Sequence, residues 1–102
     1  MIYELRVYTI LPGKMRDFIQ AFSDIPVRLF EKHGARLIGA WQPSIGQNNQ
    51  FTYILGFKDL ADQERFWNDF RQDPELRNYL GGTFTSHINN SILRPVPGSP
   101  LQ

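Results

Sequence analysis

The chain has no cysteine. Disulfides, thiolate zinc sites, iron–sulfur clusters and a cysteine nucleophile are therefore excluded. It has only two histidines, His33 and His87. They lie far apart with no third ligand at metal-binding spacing, so no metal site is expected. Excess charge is also missing: 11 Lys and Arg face 10 Asp and Glu, a net charge of +1. There is no run of like charge, so neither nucleic acid nor an anionic membrane is an expected partner. The longest apolar stretch, Leu37 to Trp41, is far too short to span a bilayer. Gly46 with Asn48-Asn49 has too few glycines, and no following helix, for a phosphate loop. The opening residues show no basic stretch followed by an apolar run, so a signal peptide is not expected. The expectation is a soluble, cytoplasmic protein.

Aromatic side chains, in contrast, are abundant. Eight Phe, four Tyr and two Trp occur among 102 residues. A chain of this length forms one domain and buries roughly 60–70% of its unfolded surface. So many rings in a small core leave some for an interface or a pocket.

Residues 1–11 alternate as a strand, with Leu5, Val7, Thr9 and Leu11 on one face and Glu4, Arg6, Tyr8 and Ile10 on the other. The first face looks suited to a core; the second mixes charge and aromatic surface. Pro12-Gly13 ends the strand. Met15, Phe18, Ile19, Phe22, Leu29 and Phe30 then recur at helical spacing over residues 14–33. Pro26 should break that helix, and Gly34 suits its end. Residues 35–45 and 50–58 read as two strands joined by a hairpin. Asp59 is an N-cap for a helix to about Gln72, and Pro74 starts a short further helix that Gly81-Gly82 ends. Residues 84–94 form a fourth strand.

The order βαββαβ is the ferredoxin-like α+β topology. It spans residues 1–95 and leaves 96–102 as a Pro-rich arm. Helices cover only one face of such a sheet. Strand three has Phe51, Tyr53, Leu55 and Phe57 on one side and Ile54 on the other. Apolar content on both faces predicts a second sheet over the open one, supplied by a homodimer.

Several stretches in this order resemble the NIPSNAP family. They are Glu4–Thr9 with Pro12–Met15, Glu31–Gly34, Leu37–Trp41, the hairpin Ile45–Gln50, Tyr53-Ile54, Leu60–Asp62 with Glu64-Arg65, Asp73–Glu75, and Ile92–Pro95 with Ser99–Leu101. No single piece is diagnostic; their order and spacing together are. The resemblance implies a dimeric α+β barrel, two sheets facing each other with the helices outside. It implies no reaction and no agreed catalytic set. The wider superfamily includes cofactor-free monooxygenases, muconolactone isomerase-like enzymes and haem-binding proteins, an analogy of fold alone.

The residues suggest a small-molecule pocket between sheet and helices, near Trp41, Tyr53, Trp67 and His87. These positions offer large rings with polar tips, and His87 is the one histidine on a strand. Arg6 and Tyr8 would form its polar end if their face of strand one turns toward the helices. On the other reading, Glu4, Arg6 and Tyr8 are a neutralised polar network inside the dimer barrel. No cofactor is called for. The two functions expected are binding or cofactor-free conversion of a small apolar or aromatic metabolite, and a non-catalytic homodimeric interaction module.

Overall fold

The computed structural model describes residues 1–102. The elements run β1 (Ile2–Ile10), α1 (Met15–Asp24), α2 (Pro26–Lys32), β2 (Arg36–Trp41), β3 (Gln50–Phe57), α3 (Leu60–Arg71), two 3₁₀ turns (Pro74–Asn78 and Gly81–Phe84), and β4 (Thr85–Leu93). One antiparallel sheet has the order β2-β3-β1-β4. This is the ferredoxin-like arrangement, with the helices on one face and the sheet not closed on itself.

Pro26 divides the first helical stretch as expected. It is the first residue of α2, where a missing N–H costs nothing. Ile25 absorbs the bend at φ −121°. At the far end Gly34 takes φ +89°, and Ala35 N donates back to Phe30 O at 2.8 Å. Asp59 caps α3, its side chain accepting from Asp62 N at 2.8 Å. After Asp73, Pro74 starts a 3₁₀ turn and not a short α-helix, and Gly81-Gly82 starts a second one. No helix is long and apolar enough to cross a membrane.

The core corrects the expected facing of β1. The register pairs Tyr8 with Phe51, Arg6 with Tyr53, Glu4 with Leu55 and Ile2 with Phe57. Directly opposed residues share a face. The aromatic side of β3 meets the helices: Phe51, Tyr53, Leu55 and Phe57 are all buried. The mixed face of β1 therefore lies under the helices, and Leu5, Val7 and Thr9 lie on the open face. Above β3, Phe18 and Phe22 of α1, Leu29 and Phe30 of α2, and Phe66, Trp67 and Phe70 of α3 complete the core. Their rings meet at centroid distances such as 4.8 Å for Phe22–Phe51 and 5.6 Å for Phe30–Phe70. Each such pair contributes about 0.5–1.5 kcal/mol beyond simple burial.

The tail turns back on its own sheet. Gly98 adopts φ +94°, and Ser99 N donates to Val96 O. The Tyr3 hydroxyl, on the open face, donates to the Gln102 carbonyl at 3.1 Å. A cavity of about 370 Å³ lies between tail and sheet, with Ile38, Ile54, Leu93 and Leu101 in its walls.

Candidate functional site

Glu4 is the centre of the helix-facing side of β1. It has no exposed surface. A buried carboxylate needs donors, and this one has four. Trp67 Nε1 and Gln63 Nε2, one turn apart on α3, donate to Oε1 at 2.7 and 3.1 Å. Arg6 Nη1 and Asn90 Nδ2 donate to Oε2 at 2.8 and 3.2 Å. Burial raises the Glu4 pKa. The bonds from Trp67, Gln63 and Arg6 outweigh that effect and hold it below the ordinary value. Glu4 is thus an anion tied to α3, β1 and β4.

Arg6 faces a different set of partners. Its Nε donates to the Tyr53 hydroxyl at 2.9 Å, and Nε and Nη2 share the Tyr8 hydroxyl at 3.3 and 3.2 Å. Its guanidinium lies 4.4 Å from the centre of the Trp67 ring, a contact worth about 1–2 kcal/mol in a partly dry site. Burial alone would lower the Arg6 pKa. Tyr53, Tyr8 and Glu4 more than restore it, so the cation is held firmly charged.

Tyr8 and Tyr53 close the cluster with a 2.8 Å hydrogen bond between their hydroxyls. Burial chiefly, and then Tyr8, push the Tyr53 phenol pKa well up, and the opposing effect of Arg6 does not cancel this. Tyr53 therefore stays neutral.

A proton count shows what the cluster leaves over. Only one of the two phenolic protons is used between the tyrosines. A guanidinium has five N–H groups, and the bonds above leave one on each terminal nitrogen without a protein partner. Arg6 keeps 14% of its side-chain surface exposed. Beside it, Ile88, Asn90 and Ile92 of β4 share its face by register. No helix covers this strand, and Ile88 and Ile92 are 53% and 39% exposed. The arrangement is a polar floor rich in donors, flanked by bare apolar side chains.

Of the six residues that the sequence suggested for a pocket, four come together: Arg6, Tyr8, Tyr53 and Trp67. Trp41 and His87 do not join them. A bulge between Leu37 and Gly39 reverses the alternation in β2. Trp41 therefore lands beside Gly39 on the open face, half exposed. His87 pairs with Thr9 on that same face, exposed, with only Ser86 Oγ near its ring at 3.3 Å. The pocket expected between sheet and helices is occupied by the phenylalanine core; Tyr53 and Trp67 are buried in it, and only Arg6 and Tyr8 reach partly exposed surface, beside Ile88 and Ile92. Gln63 and Asn90 were not anticipated. Gln63 lies at i−4 from Trp67, and Asn90 interrupts an Ile-x-Asn-x-Ile alternation. Either pattern marks a polar group aimed along an apolar face.

His33 is in a separate cluster. With Lys32 it brackets the buried carboxylate of Asp73, at 2.7 Å from His33 Nε2 and 2.8 Å from Lys32 Nζ. Glu75 N donates to the other oxygen at 2.9 Å. The Lys32, Glu75 and His33 bonds hold the Asp73 pKa well below the usual carboxylate range. This cluster ties the end of α2 to the first 3₁₀ turn.

The NIPSNAP family model matches residues 3–100. Comparison with curated proteins finds no match. Among solved structures, an uncharacterised NIPSNAP-like domain protein from Burkholderia xenovorans is 30% identical, with a TM-score of 0.86 over 97% of this chain and 88% of that one. A NIPSNAP family protein from Agrobacterium tumefaciens is 25% identical, with a TM-score of 0.92 over 99% and 98%. A "Putative antibiotic biosynthesis monooxygenase" from Nitrosomonas europaea is 10% identical, with a TM-score of 0.71 over 94% and 99%. That last likeness is one of fold alone.

Proposed function

On the premise that the chain belongs to the NIPSNAP family, we propose that it binds a small molecule with an oxygen acceptor at one end and an apolar or aromatic body. The acceptor meets Arg6 and Tyr8; the body lies along Ile88 and Ile92. The observation that carries this reading is the donor surplus: unused N–H and O–H groups on a rigidly held cluster beside exposed apolar side chains. The same groups argue for binding over conversion. Glu4 is fully engaged by donors, and Tyr53 is held neutral, so neither is a ready base. The monooxygenase-like neighbour shares only the fold, so no reaction is carried over from it.

Titration calorimetry with a panel of aromatic ketones and esters tests the reading. Tyr8→Phe removes a hydroxyl without opening the core and should weaken binding about tenfold, the worth of one good hydrogen bond. A panel with no binder, or equal affinity for the Phe variant, would count against this reading.

The interaction-module reading is supported by the open face. Leu5, Val7, Ile54 and Trp41 leave apolar surface there that the helices do not reach. We propose that a second copy covers it, in cytoplasmic solution, whichever reading holds. Sedimentation at micromolar concentration should give a dimer; a monomer alone would remove this support.

A further inference from the structure

Resting on the binding reading above, we infer that the Arg6–Tyr8 site selects a neutral carbonyl oxygen, as in a ketone or ester, over a carboxylate. An exposed arginine usually invites an anion, and carboxylate is its geometric match. Here the charge is already balanced. Glu4 Oε2 lies 2.8 Å from Arg6 Nη1, so an incoming anion meets a cation and, just behind it, an anion held in place. The other groups in contact with the pair are Tyr8, Tyr53, Trp67, Gln63 and Asn90. None of them brings a second positive charge. A carboxylate entering this site gives up its strong hydration and gains attraction to a pair with no net charge. A neutral carbonyl gives up far less.

The donor geometry also fits a carbonyl. Its oxygen has two lone pairs and takes two donors. The donors in supply are the terminal N–H groups of Arg6 that have no protein partner and, with Tyr53 donating to Tyr8, the Tyr8 phenolic proton. Nothing needs to change protonation when the ligand arrives. Glu4 thus acts as a positioning residue with a second effect: it holds Arg6 in place and cancels its appetite for anions.

A matched pair of ligands tests this on the intact protein. 4-Phenylbutan-2-one and 3-phenylpropanoate have the same ring and linker and differ in the head, a methyl ketone against a carboxylate. Each is titrated at neutral pH, with calorimetry for affinity and the Trp67 indole N–H resonance as the local reporter. Trp41→Phe assigns that resonance, because Trp41 lies on the other face. The expected result is at least tenfold tighter binding of the ketone, with the Trp67 signal shifting as it binds. Equal or tighter binding of the carboxylate, with the same shift, overturns the inference and leaves the binding reading intact. No binding by either ligand, with Trp67 unmoved, overturns the inference together with the binding reading. Glu4→Gln leaves Arg6 uncompensated and should turn the preference toward the carboxylate. A folded variant that still prefers the ketone would show that Glu4 does not set the selectivity.

Discussion

Glu4 and Asp73 each keep only 1% of their side-chain surface in contact with water, and each is bonded to a basic neighbour 2.8 Å away. Their neighbours differ. Lys32 beside Asp73 is 52% exposed, so its charge is solvated and the cluster has finished its work once α2 is tied to the turn. Arg6 beside Glu4 lies against Trp67, bonded to two tyrosines, and keeps N–H groups without a protein partner next to the uncovered side of β4. Burial of a carboxylate does not by itself mark a site. What marks one is a partner with hydrogen-bonding capacity left over and a surface on which to use it.

The two clusters differ most in what the loss of the carboxylate would do, and Glu4 carries the larger effect. Glu4→Gln leaves the Arg6 cation without its counter-charge and should cost about 3 kcal/mol, the scale for removing one member of a buried pair. That is a large share of the 5–15 kcal/mol typical of a domain. Urea unfolding measures it, and a loss under about 1 kcal/mol would put Glu4 on the same footing as a surface pair.

Acid should separate the clusters next. Both carboxylates are held below their ordinary values of 4.5 and 3.8. A depressed folded pKa gives stability that is present above the ordinary value and fades as pH falls through the lowered one. Melting temperature should therefore hold near neutral pH and drop progressively below about pH 4.5. The drop should be shallower in Glu4→Gln. An unchanged slope in that variant would assign acid sensitivity to other groups.

The smallest effect is expected from Asp73→Asn. It weakens the tie between α2 and the 3₁₀ turn, so melting should come somewhat earlier than in the native chain and later than in Glu4→Gln. Ligand affinity at the proposed Arg6–Tyr8 site should not change. A variant that loses binding would show that the two clusters are coupled through the turns.

Much of this architecture was legible in the residues. Pro26, Asp59 and Gly34 act through local backbone chemistry, which a sequence displays directly. The facing of β1 was not legible. Alternation separates two faces but does not say which goes inside. Here the aromatic side of β3 decided it, through a register that only the folded sheet fixes. Trp41 was misplaced for a related reason: one bulge residue in β2 reverses every side chain beyond it. The polar core of the site, Glu4 with Arg6 and Tyr8, was visible as an odd stripe. Gln63 and Asn90 come from elements distant in sequence, and only tertiary packing brings them to Glu4.

The bend at Pro26 bears on the chain before it folds. On either side of it, Ile25 N still reaches Ala21 O and Leu29 N still reaches Ile25 O, so the native helix gives up little there. Phe18 and Phe22 before the bend, and Leu29 and Phe30 after it, all pack into the one core. Packing would therefore demand the bend whatever residue stood at 26. The ring's larger effect is on the ensemble of unfolded conformations, where it removes options, a continuous straight helix among them, that the core could not use.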